Sequence, residues 1–135
     1  MKYRILIVSA NYYTDISNNL LKDAKTTLKS KAKYQIINVP GVFEIPVIIA
    51  KNIKKYHAFI ALGCVIKGET PHFDFISTTT INAIMNLSIV HKKPIGNGIL
   101  TCLYKRQAKA RSGSFNKVGK GTEAAKAVLS VLNNS

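Results

Sequence analysis

Apolar positions along the chain follow two rhythms. Short β-branched and aliphatic runs, YRILIVS at 3–9, YQIINV at 34–39, HAFIALGC at 57–64 and PIGNGILT at 94–101, have the length and composition of strands. Between them lie longer stretches of helical period. The first, over 16–32, sets Leu20, Leu21, Ala24 and Leu28 on one face. Further helices are predicted over 45–56, where Pro46 suits a first turn, over 71–90, over 104–111 and over 122–132. The two glycines of the fourth strand point to close backbone approach. Strand–helix alternation of this kind implies right-handed crossovers and an α/β fold, a parallel sheet covered on both faces. The 135 residues contain no linker, repeat or change of composition, so 1–135 reads as one domain.

In an open parallel sheet, ligands bind beyond the carboxyl ends of the strands. The turns after the four strands begin near Ala10, Pro40, Val65 and Cys102, and three of them hold unusual groups: NYYTD, PGVFE and IKGETPHFD. The third crowds Lys67, Gly68, Glu69, Thr70, His72 and Asp74 into eight positions.

Charge sharpens that choice. There are 20 Lys and Arg against 6 Asp and Glu, a formal +14. Four of the six acids, Glu44, Glu69, Asp74 and Glu123, sit beside Gly-rich or Pro-containing turns rather than along helix faces. The cations are scattered along the sequence without an aromatic RNA-binding motif, a KH loop or zinc-finger spacing. The expectation is therefore no nucleic-acid partner, with some Lys and Arg serving a small anionic ligand. No apolar run approaches the roughly 20 residues that cross a bilayer. The start MKYRILIVSANYYTD reads as a strand and not a signal peptide, so a cytoplasmic, membrane-free protein is expected. Cys64 and Cys102 lack CxxC spacing and read as reduced strand residues.

Each turn has two readings. In GETPH, Thr70 suits an N-cap and Pro71 the first helical position; the helix start, with Lys67, makes either an anion site or an ordinary capped terminus. His72, between Glu69 and Asp74, is the one histidine in a ligand-facing turn and is a candidate for proton transfer. PGVFE offers backbone amides and Glu44 to a planar ligand, or is a plain loop whose acid favours the next helix. Tyr12 and Tyr13 stack on a heterocycle or cover the sheet edge. Arg111, Lys117 and Lys120 form a second anion candidate or a basic loop.

Taken together, VPGVFEIP (39–46), ALGCVIKGETPHFD (61–74), NGILT (97–101) and KGTEAA (120–125) resemble, in this order and at these separations, the lumazine synthases, enzymes of riboflavin biosynthesis. The resemblance spans nearly the whole chain. It implies a flavodoxin-like three-layer α/β/α fold with a four-stranded parallel sheet. It implies a transferase that condenses 5-amino-6-ribitylaminouracil with 3,4-dihydroxy-2-butanone 4-phosphate and releases inorganic phosphate, with no metal and no organic cofactor. By the same resemblance Tyr12 stacks on the pyrimidine. Val42, Phe43 and Glu44 meet the ribityl chain and ring, and backbone at Val65 and Ile66 reads the ring edge. Glu69 and Thr70 match the phosphate-side loop, with Lys67 a further substrate-binding candidate that adds charge beside it, and His72 matches the proton-transfer residue. Arg111 matches a phosphate-binding arginine reaching in from an adjacent subunit, with Lys120 and Glu123 near that interface and Lys117 an alternative to Lys120. Asn97 stands where many members carry an aromatic on the neighbour's side of the pyrimidine. The family forms pentamers, some assembling further. The alternative is a non-catalytic flavin- or lumazine-binding module on the same fold.

Overall fold

The computed structural model describes residues 2–68, 72–113 and 118–134. Four strands, β1 (Arg4–Ala10), β2 (Lys33–Val39), β3 (Ala58–Ile66) and β4 (Ile95–Cys102), form one all-parallel sheet in the order β2-β1-β3-β4. The helices are α1 (Thr14–Leu28), α2 (Ile45–Asn52), α3 (His72–His91), α4 (Lys105–Arg111) and α5 (Lys120–Asn133). A single 3-10 turn, Val42–Glu44, precedes α2.

The central strands β1 and β3 are buried almost without interruption, because helices cover both faces; the edge strand β2 is only partly buried. On one face Ile5, Ile7, Ile60 and Leu62 pack against Leu20, Ala24 and Leu28 of α1 and Ala124, Val128 and Leu132 of α5. On the other, Leu6, Val8, Phe59 and Ala61 pack against Ile45 and Ile49 of α2 and Ile84 of α3. This is the three-layer architecture the sequence implies. Each fully buried aliphatic side chain contributes about 1.5–3 kcal/mol of transfer free energy. Contact between α1 and α5 reaches backbone: a Cβ on Gly121 would stand 2.2 Å from the Leu20 carbonyl oxygen.

Element ends differ from the sequence expectations. Helix α1 stops at Leu28, where the amides of Lys31 and Ala32 both bond the Leu28 carbonyl and turn Ala32 back into the core. Helix α2 ends at Asn52 rather than 56. Strand β3 begins after His57, whose Nδ1 accepts the Arg4 amide at 3.0 Å, and runs two residues further, pairing Val65 with Thr101 and Ile66 with Cys102. Helix α5 starts at Lys120, so Glu123 lies within its first turn instead of opening it.

Helix α3 stands apart. Of its 20 residues only Thr80 and Ile84 are buried, while Phe75 and Ile89 are each 67% exposed and Met85 and Val90 also face outward. The 16 residues from Phe75 to Val90 contain no charged side chain. No described helix is long and apolar enough to cross a membrane.

Candidate functional site

The carboxyl ends of β1, β2 and β3 bring one group of predicted residues to a common rim. After β1, Tyr12 is 74% exposed and meets Tyr13 edge-to-face at 4.9 Å. The turn is closed by Ser17, whose Oγ donates to the Ala10 carbonyl at 2.7 Å. Burial pushes the Tyr13 phenol above its ordinary range, so this ring is the supporting one and Tyr12 the presented one.

After β2 the 3-10 turn packs against β1, β3 and α3. The Gly41 amide donates to Glu44 Oε1 at 2.9 Å, so the carboxylate is oriented by its own turn and is part-buried. Phe43 projects outward. Val42 does not: it is 5% exposed and sits over Gly63 of β3, where a Cβ would come within 2.6 Å of its Cγ1. Only Val42 backbone is presentable to a ligand, because its side chain fills the space a glycine leaves on the sheet.

At the end of β3, Val65 and Ile66 are half-buried, and the exposed Lys67 donates its amide to the Cys102 carbonyl at 2.9 Å. The predicted residues Glu69 and Thr70, and the Pro71 position, lie outside the described residues, as does Lys117. His72 is the first residue of α3 and is exposed, with Asp74 exposed two residues on.

A second group gathers beside the open edge of β4. Arg111, Lys120 and Glu123 line one depression of about 390 Å³ with Thr101 and Val118. Arg111 Nη1 donates to the Gln107 carbonyl at 3.3 Å, one turn back, which leaves most of the guanidinium's donors directed outward. Gln107 in turn holds the start of α4, its Oε1 accepting the amides of Leu103 and Tyr104 at 2.9 and 3.2 Å. Two cations and one acid around a concave wall suit a phosphate ester. Thr101 and Val118 were not singled out in the sequence; the signal for Thr101 was its place opposite Val65 at the carboxyl end of the sheet.

Asn97 joins neither group. It lines a separate small cavity of about 70 Å³ with Ile81, Ile84 and Met85, and its Oδ1 accepts the Ile99 amide at 3.1 Å. Four residues along the same strand from Thr101, it lies about 13 Å from it. Cys64 and Cys102 are free and buried, and burial, with Cys102 next in effect, pushes the Cys64 thiol up to about 12. A thiol protonated at neutral pH is no nucleophile. Among the described residues no three His, Cys, Asp or Glu side chains cluster as metal ligands.

Gly113 and Gly119 meet each other over Asp23 of α1. Gly113 has φ +92°, a conformation that favours glycine, and a Cβ there would stand 2.0 Å from Asp23 Oδ2. Burial raises the Asp23 pKa above 3.8, partly countered by Lys22. The carboxyl thus ionises more readily in the unfolded chain, so its stability penalty is absent below pH 3.8 and grows as pH rises through the folded value. Asp23→Asn should therefore raise Tm at pH 7 but not at pH 3 by calorimetry. An equal shift at both pH values would refute this.

Comparison with known proteins bears on the whole chain. Residues 2–135 match the sequence model of the 6,7-dimethyl-8-ribityllumazine synthase family. The 6,7-dimethyl-8-ribityllumazine synthase of Bartonella henselae is 46% identical over 97% of this chain and 87% of that protein. The 6,7-dimethyl-8-ribityllumazine synthase 1 of Rhodopseudomonas palustris is 44% identical over 95% and 85%. The Agrobacterium fabrum protein of the same name is 42% identical over 97% and 93%.

Proposed function

Because this chain belongs to the 6,7-dimethyl-8-ribityllumazine synthase family, we propose that it condenses 5-amino-6-ribitylaminouracil with 3,4-dihydroxy-2-butanone 4-phosphate, releasing inorganic phosphate, in riboflavin biosynthesis. The observation that carries this reading is the pair of complementary half-sites at the carboxyl rim. One offers an aromatic face and a fixed carboxylate, the other a basic depression. The whole chain acts as one catalytic domain in the cytoplasm.

In this reading Tyr12 stacks on the pyrimidine, Glu44 accepts the ribityl hydroxyls with its outward oxygen, and backbone at Val42, Val65 and Ile66 meets the ring and its substituent. Phe43 covers the ribityl chain. The substrate amine attacks the ketone to give an imine, phosphate departs, and ring closure yields the lumazine. His72 moves the proton, and Lys67, Glu69 and Thr70 form the phosphate-side loop. Arg111 neutralises the departing phosphate, supported by Lys120, with Glu123 alongside.

The two half-sites belong to different cavities: Arg111, Lys120 and Glu123 of one subunit complete the Tyr12–Glu44–His72 surface of the next, with Asn97 in its separate small cavity further along β4. Self-association is supported by the uncharged outer face of α3, too apolar for a helix meant to face water. A pentameric ring is the assembly we propose.

Mixing the assembled protein with both substrates and following the lumazine chromophore tests the activity. Ligand binding without phosphate release would leave only a binding module. His72→Ala should slow turnover by about 10²-fold, the usual worth of one positioned acid–base group. An unchanged rate would remove His72 from proton transfer.

A further inference from the structure

At the opposite rim of the sheet, where helices hand over to strands, cations gather. The α1–β2 turn carries Lys29 and Lys31 with Lys33 opening β2, and Lys51 in the last turn of α2 is followed by Lys54 and Lys55 in the α2–β3 connection. Lys92 and Lys93 occupy the α3–β4 turn. With Lys2 and Arg4, ten of the chain's 20 Lys and Arg lie at this end, and none of its six acids. Residues scattered in sequence are gathered by topology, since every such connection of a parallel sheet emerges on the same side. Helix dipoles favour a cation in each last turn, which accounts for Lys51 but not for Lys31, Lys33, Lys54 or Lys55. Lys93 braces the fold, its Nζ donating to the carbonyls of Ile53 and Tyr56 at 2.6 and 2.9 Å.

Within this rim lies a groove of about 420 Å³ walled by Arg4, Lys29, Lys33, Tyr34, Gln35 and Tyr56. Its floor is held from within. The Arg4 guanidinium lies over the Tyr56 ring, 5.2 Å from its centroid, and the Tyr56 hydroxyl donates to Gln35 Oε1. Lys29 and Lys33 are exposed, and the ion pairs among described residues involve Asp15 with Lys105 and Lys109 instead. Three cations, from β1, the α1–β2 turn and the start of β2, therefore converge on a concavity of small-molecule size with no carboxylate in its wall.

We propose that this groove is a second anion site, separate from the phosphate site of the reaction, and that it takes a nucleoside phosphate. The phosphates lie among Lys29, Lys33 and Arg4, and the organic part lies along Tyr34. It goes beyond the catalytic reading and rests on none of its residues.

Isothermal titration of the assembled protein with adenosine diphosphate, and with adenosine as comparator, tests it. The diphosphate should bind at low ionic strength and adenosine should not. The Lys29→Glu/Lys33→Glu double variant should weaken binding at least tenfold while lumazine formation stays unchanged, and Arg111→Ala should leave binding intact. Diphosphate binding that survives the charge reversal, or that disappears with Arg111→Ala, overturns the proposal. So does its absence, including the case where only single-stranded RNA binds, tighter with length, since that would mean a polyanion surface and no pocket.

Discussion

Arg111→Ala should lower phosphate release by about 10²–10³-fold, roughly 3–4 kcal/mol of transition-state stabilisation, with little change in folding. Arg111 is exposed and, among the described residues, its side chain bonds the carbonyl one turn back, so truncation costs the fold almost nothing. In the proposed reaction, what is lost is a planar, permanently charged donor at the place where the leaving group gathers charge. Lysine would not replace it, being a point charge without the fork. A mixing experiment makes the result decisive. Arg111→Ala and His72→Ala proteins, unfolded and reassembled together at equal amounts, should regain about one quarter of wild-type activity, since random pairing leaves that share of interfaces intact. No recovery would mean that each cavity is completed within one chain.

Ile89→Asp should have a comparably large effect by another route. Ile89 is 67% exposed in the single chain, so a carboxylate there is tolerated by the isolated fold. In a ring that packs α3 against its neighbour, the same carboxylate is buried unpaired in every subunit, at a cost of several kcal/mol each. Light scattering should then report monomers, and lumazine formation should fall with assembly. A full-sized, active Ile89→Asp oligomer would place the subunit contact elsewhere. Circular dichroism that matches wild type separates loss of assembly from loss of folding.

Much of the architecture was legible because burial on both faces leaves uninterrupted apolar runs: Ile5 to Ala10 and Ala58 to Cys64 could hardly be anything but central strands. Element ends were less so. The segment after Leu28 contains no Gly or Pro to mark the stop, and buried Ile53 continues the apolar period of α2 past its last turn. Glycine and cysteine at 63 and 64 looked like a strand end, yet pairing with β4 carries β3 on to Ile66.

The candidate site divides in the same way. Residues at the rim such as Tyr12, Glu44 and His72 announce themselves by chemistry. Which residues share a depression depends on contacts far apart in sequence, as for Thr101 with Arg111 and Lys120. That Val42 can offer only its backbone was not legible from the sequence, because its side-chain burial depends on the bare Cα of Gly63 on the strand beneath it.

Gly96 and Gly98 carry a further consequence. A Cβ on Gly96 would stand 2.5 Å from the Ala124 carbonyl oxygen, and one on Gly98 would meet Leu62 at the same distance. If β4 slid by one position along β3, Asn97 or Ile99 would be driven into those spaces and the outer helix could not seat. A misaligned edge strand is thereby rejected during folding, before it could carry Thr101 and the basic depression out of line with the rest of the carboxyl rim. These two glycines of the edge strand act as a proofreading gauge for the spacing of its chemistry.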